Sequence, residues 1–117
     1  MYHLLSCNGK FIVHSGPRAA LPHGSVLERV PQPGETLIAG IGCSLGGYHA
    51  ESGVTLIVGD ISDEQLRIMG AMEACNDAAV AACADRTTCT QANDVALHAL
   101  RKAGLGNTIR HRLGHGR

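Results

Sequence analysis

The chain has 117 residues, of which 44% are apolar and 17% charged, with a formal net charge of zero. At roughly 150 residues per domain this length bounds the chain at one domain, and the apolar share supports a core rather than whole-chain disorder. Neutrality argues against a strongly basic nucleic-acid protein, and no apolar run approaches the roughly 20 residues of a membrane span.

The opening Met1-Tyr2-His3-Leu4-Leu5-Ser6-Cys7 has no basic region and no long apolar stretch. It does not read as a signal peptide, so the expected compartment is the cytoplasm. Lys10 to His14 alternates apolar and polar, the pattern of a half-buried strand. Ser15-Gly16-Pro17 and Pro22-His23-Gly24 are turn signals. Ser25 to Val30 reads as a short strand, broken by Pro31-Gln32-Pro33-Gly34. Thr36 to Cys43 is apolar and Gly-rich, a candidate buried strand. Gly46-Gly47 suits a hairpin turn, and Tyr48 to Val58 continues as a long strand closed by Gly59-Asp60.

The period then switches. Ser62 with Gln65 forms a capping-box pattern. Leu66, Met69, Met72, Cys75, Ala79, Ala82 and Cys83 follow at helical spacing, which places both methionines toward a core and ends the helix near Ala84. Thr88 with Gln91 offers a second cap. Ala92, Val95, Ala96, Ala99, Leu100 and Ala103 outline a second helix that Gly104 should stop. Thr108 to Leu113 is expected as a further short strand. The predicted fold class is α+β: antiparallel strands, then two amphipathic helices and a strand.

Two compositional features qualify this reading. No acid follows Asp94, while five of the ten Lys and Arg residues fall after Leu100. That basic end has no aromatic residue for stacking and its glycines give no groove-reading helix, so nucleic acid is not the expected partner. The five cysteines (Cys7, Cys43, Cys75, Cys83, Cys89) are irregularly spaced with no C-x-x-C. They are expected as buried small hydrophobes rather than as disulfide or zinc ligands.

Three constellations carry candidate chemistry. His111-Arg112-Leu113-Gly114-His115-Gly116 places two imidazoles four apart, and its glycines argue against a helix there. His23 sits on a tight turn. Glu51 lies on a strand just after a hairpin turn. Each has an ordinary surface reading alone. Together, carboxylate and imidazole are the ligand types of a hydrolytic metal site. No dinucleotide loop, phosphate loop or nucleophile-elbow frame is present.

In order, S-G-P-R-A-A-L-P-H-G (Ser15 to Gly24), P-G-E-T-L-I-A-G-I-G (Pro33 to Gly42), G-G-Y-H-A-E (Gly46 to Glu51), V-G-D (Val58 to Asp60) and H-R-L-G-H-G (His111 to Gly116) span most of the chain. This succession resembles the pita-bread metallopeptidase family, which includes methionine aminopeptidase, Xaa-Pro aminopeptidase, prolidase and creatinase. The resemblance implies a fold of two pseudo-symmetric halves around two divalent metal ions (Mn, Co, Zn or Fe) that activate water for hydrolysis. Residues 1–117 would then be a partial pita-bread catalytic domain, the first half plus the start of the second. By position, Glu51 and His115 match metal ligands, His23 matches the His that contacts substrate, and His111 matches an auxiliary His of the Xaa-Pro branch.

The sequence also departs from that pattern. The first ligand Asp falls at Gly40, and the second is Glu51. The usual Arg-Thr after the strand carboxylate is altered, the chain reading Glu51-Ser52-Gly53-Val54-Thr55. The segment that should bring two further Glu ligands is absent. Two ligands are too few for a tight divalent site, so the 117 residues alone are expected to be an inactive fragment without a firmly held metal. The expected parent activity is cleavage of an N-terminal peptide bond before proline, with a peptide or small amide as substrate and a homodimer as the assembly. Gly40 and Glu51 keep open a non-peptidase hydrolase or lyase, ectoine hydrolase-like or creatinase-like. They also keep open a peptide-binding module without a site.

Overall fold

A computed structural model describes residues 8–21 and 28–114. The chain divides into two compact units, Met1–Ile61 and Ser62–Arg117.

The first unit is a three-stranded antiparallel sheet in the order β1-β2-β3, with β1 Asn8–Ser15, β2 Thr36–Leu45 and β3 Tyr48–Ile57. The expected strands at 10–14, 36–43 and 48–58 are all present, β1 and β2 running further than periodicity alone marks. Gly46 and Gly47 turn the β2–β3 hairpin with φ of 58° and 86°. A two-residue turn with both φ positive matches the strand twist, and glycine occupies it without a Cβ penalty. Pro33-Gly34 closes a tight turn in which the Glu35 N–H donates to the Gln32 carbonyl at 3.1 Å. The ladder continues past the strands, since the Val58 N–H donates to the Glu35 carbonyl at 2.9 Å. After β1 the chain winds into a 3-10 turn, Gly16–Ala20, with Pro17 in its opening turn.

Register assigns the sheet faces, because directly paired residues share a face and neighbours alternate. Glu51 pairs with Gly42, Gly53 with Gly40 and His49 with Ser44. The opposite face carries Phe11, Val13, Ile41, Leu45, Tyr48, Val54 and Leu56. All seven are exposed, Tyr48 at 85%. The expected burial of Thr36 to Cys43 is therefore corrected: β2 is half-buried at best. Ser25 to Val30 is not a strand where it is described, since Glu28 to Val30 lie outside regular structure. Residues 25–27 fall outside the described residues.

The second unit pairs α1, Asp63–Ala82, with α2, Cys89–Lys102. Both expected caps form. The Gln65 N–H donates to Ser62 Oγ at 3.3 Å and the Ser62 N–H to Gln65 Oε1 at 2.9 Å. Thr88 and Gln91 repeat the arrangement at 3.2 and 2.9 Å. Each box satisfies two backbone donors that the helix cannot pair internally. At the far end of α2, Gly104 has φ of 77°. The Leu105 N–H donates to the Leu100 carbonyl at 2.9 Å and the Gly104 N–H to that of Arg101 at 3.0 Å. This Schellman arrangement brings Leu105 back against Leu100 in the core.

That core is small: Cys75, Ala79, Ala96, Leu97, Leu100 and Leu105. Two of its members, Ala79 on α1 and Ala96 on α2, are alanines. Arg67 Nη1 on α1 donates to the Ala103 carbonyl at the end of α2, at 3.1 Å, while its guanidinium grips Glu64 at 2.8 Å. The helical stripes are narrower than spacing suggests. Leu66 and Met72 are exposed, at 60% and 52%, so Met72 does not face a core. Leu97, rather than Val95, fills the seam on α2. Among the described cysteines Cys75 alone is buried, Cys43 is half-buried, and Cys83 and Cys89 are exposed. Burial pushes the Cys75 thiol pKa up, as expected for an inert packing residue. The expected strand from Thr108 to Leu113 is absent. A 3-10 turn at Gly106–Thr108 leads into non-repetitive chain, because the Thr108 hydroxyl bonds back to the Leu105 carbonyl at 2.7 Å and keeps the backbone turned.

Candidate functional site

Of the four predicted site residues, Glu51 and His111 are described, while His23 and His115 lie outside the described residues. Glu51 belongs to the sheet unit and His111 to the helical unit.

Glu51 stands on an unusual floor. A Cβ built at its partner Gly42 would meet Glu51 Oε1 at 3.4 Å and Cγ at 3.5 Å. The Glu51 side chain thus lies beside the bare backbone of β2, at ordinary van der Waals distance from where a Cβ at position 42 would stand. Gly40 is two residues away on the same face, opposite Gly53. Glycine within a strand weakens packing and marks a place where another group approaches the backbone closely. Here three glycines, Gly40, Gly42 and Gly53, clear the surface beside one carboxylate. A Cβ at Gly40 would meet nothing nearer than the Ser52 carbonyl, at 3.9 Å. A side chain therefore fits at position 40, and the missing carboxylate there is a chemical difference rather than a steric necessity.

His111 is exposed and lies outside helix and strand, as the flanking glycines imply and contrary to the expected strand. Its Nδ1 is 2.7 Å from the Arg112 carbonyl oxygen. A carbonyl can only accept, so Nδ1 is the donor in this contact, and in the neutral ring Nε2 is then the acceptor atom.

No three His, Cys, Asp or Glu residues come together among the described residues. Those residues do not fit a two-metal centre by themselves.

Sequence reasoning missed a strongly bonded polar group of the sheet unit. Arg29 makes a two-pronged ion pair with Glu35, one bond being 2.6 Å to Oε2, and donates a further bond to Ser15 Oγ at 2.9 Å. The Gln32 N–H adds a donor to Glu35 at 2.9 Å. The Arg29 hydrogen bonds, followed by that amide, hold the Glu35 carboxyl well below its ordinary range, at about 2. The knot ties the end of β1 to the start of β2, across the stretch that contains Pro22-His23-Gly24. It also explains Gly16, where φ is 56° and an added Cβ would fall 2.5 Å from Glu35 Oε1. No periodicity announces such a group. The available signal was an Arg and a Glu facing each other across a Pro-Gly turn.

The sequence profile of metallopeptidase family M24 matches residues 3–117. An Xaa-Pro dipeptidase of Lactobacillus helveticus is 34% identical over 105 residues, covering 90% of this chain and 28% of that protein. Among solved structures, dipeptidase PepE from Mycobacterium ulcerans superimposes with a TM-score of 0.86 at 34% identity, over 91% of this chain and 29% of that one. Prolidase from Pyrococcus furiosus gives 0.85 at 27% identity, over 91% of this chain and 32% of that one. The chain thus spans less than a third of the length of these relatives. The α+β architecture is that of the corresponding part of the prolidase and PepE fold. The order of the motifs, the sheet and helix pair and the match over nearly every residue agree: this chain belongs to metallopeptidase family M24.

Proposed function

We propose that these residues form part of the catalytic domain of a hydrolase that cleaves the peptide bond between an N-terminal residue and proline, the substrate class named for the dipeptidase relatives. The observation that carries the proposal is Glu51 laid over Gly42 beside the cleared backbone of Gly40 and Gly53. A carboxylate flanked by three glycines has bare backbone beside it where a cation and a substrate can approach. In this reading Glu51 and His115 are metal ligands, and His23 and His111 orient the substrate carbonyl. Divalent metal, when bound, supplies Lewis-acid activation of water. The ligand set within residues 1–117 is incomplete, and the chain by itself is inactive. A second reading, a non-peptidase hydrolase or lyase on the same fold, is favoured by one observation: position 40 has room for a carboxylate and carries none.

Calorimetric titration with Mn²⁺ and an assay with an Xaa-Pro dipeptide test both readings. The 117-residue chain should bind Mn²⁺ weakly and turn over nothing. Gly40→Asp should tighten Mn²⁺ about tenfold or more by adding a charged oxygen ligand on the same sheet face, and Glu51→Gln should abolish that gain. Turnover by the unaltered chain contradicts the incomplete-site reading. Mn²⁺ affinity indifferent to both substitutions contradicts the placement of the metal. In a longer protein containing this chain, cleavage of a small cyclic amide but not of the dipeptide selects the second reading.

A further inference from the structure

Asn93 is an odd residue to find in the second turn of α2. Asparagine is a poor former of helix interiors, and alanine there would favour the helix. Its side chain is half-buried, and both ends of its amide are engaged. Nδ2 is 3.5 Å from Asp94 Oδ1, and Oδ1 accepts the Leu113 N–H at 3.1 Å across twenty residues of sequence. Leu113 belongs to the non-repetitive run that follows the 3-10 turn. Four residues earlier, Ile109 packs against the Leu97–Leu100 core. The chain is therefore held at two points, by apolar contact at Ile109 and by a hydrogen bond at Leu113. His111 lies midway between them, with its Nδ1 on the Arg112 carbonyl that the same two anchors place.

We propose that Asn93 is a positioning residue for the His111 segment: by accepting the Leu113 amide it fixes the path of Arg110–Gly114 and, through the Arg112 carbonyl, the tautomer and direction of the His111 ring. Its significance for turnover rests on the peptidase reading above; the positioning itself does not. The requirement is for an acceptor oxygen on a short stem. Aspartate satisfies it and alanine does not.

The test compares the unaltered chain with Asn93→Ala and Asn93→Asp by NMR. In Asn93→Ala the Leu113 amide should exchange with solvent about three- to tenfold faster, as loss of one solvent-competed hydrogen bond allows. The His111 ring ¹⁵N shifts should move from the Nδ1-protonated pattern toward the Nε2-protonated form. The melting temperature of the helices should hold or rise, because alanine favours the helix. Asn93→Asp should restore both the slow exchange and the ring pattern. A residue that merely stabilised α2 would lower the melting temperature on substitution by alanine and leave the ring pattern unmoved. Unchanged Leu113 exchange in Asn93→Ala overturns the proposal. So does an Asn93→Asp chain that behaves like Asn93→Ala, or a His111 ring indifferent to loss of the tether. Failure of the peptidase reading registers separately, as Mn²⁺ that perturbs no histidine resonance in any of the three chains.

Discussion

Among the described residues, six apolar ones are buried in the helical unit, whereas those buried in the sheet unit are His14 and Ser15. The helices owe their arrangement to a packed seam of alanine, leucine and cysteine, finished at both N-termini by capping boxes and at the end of α2 by Gly104. The sheet owes its arrangement to two continuous backbone ladders, a glycine hairpin and the Arg29–Glu35–Ser15 knot, and seven large apolar side chains of its strands are exposed. The difference is instructive for function. A sheet aligned by its backbone can place three glycines beside Glu51 on one face.

If that contrast is right, the two units should fail differently. The largest effect is expected from Leu100→Ala, which empties the centre of a six-residue core. It should cost about 2–5 kcal/mol of helix stability in denaturant titrations followed by circular dichroism, with the strand amides little affected. Next comes Gly16→Ala, which forces a Cβ onto the Glu35 carboxylate in a left-handed backbone conformation. A loss of about 1–3 kcal/mol is expected, read from hydrogen exchange along β1 and β2, with the helices unmoved. Smaller still, Ser62→Ala and Thr88→Ala should each cost about 1 kcal/mol and speed exchange in the first turn of their own helix. The comparison fails if either cap substitution loosens the strands.

The smallest effect is that of pH on the knot. The folded carboxyl of Glu35 is depressed from 4.5 to about 2. Its contribution is therefore fully present above the ordinary value and is lost as the pH falls through about 2. Acid should loosen the Ser15 to Glu35 region over that window, and Glu35→Gln should remove this pH dependence. The pair is partly solvated, so the change should be modest.

Much of this was legible in the residues because it depends on local chemistry. Ser62-Gln65 and Thr88-Gln91 specify helix starts through their own hydrogen bonds, Gly104 specifies a stop through its positive φ, and Gly46-Gly47 specify a hairpin. The motif order was enough to reach the family. The final strand failed because, among the described residues, Thr108 to Leu113 pairs with no strand, and the Thr108 hydroxyl turns the chain instead. Met72 and Val95 failed because helical spacing defines a stripe about a third of a turn wide, while a small alanine-rich contact uses only its centre.

The candidate site divides along the same line. Sequence alone determined which residue types are available, a carboxylate at 51 and imidazoles at 23, 111 and 115, and that position 40 lacks an acid. The tertiary structure decided that Gly40 and Glu51 share a face, that Glu51 lies beside Gly42, and that Asn93 accepts the Leu113 amide across twenty residues. The physical reason is range. Caps, turns and periodicity act within a few residues, whereas strand register and a side chain that accepts a distant amide are set only once the whole chain has folded.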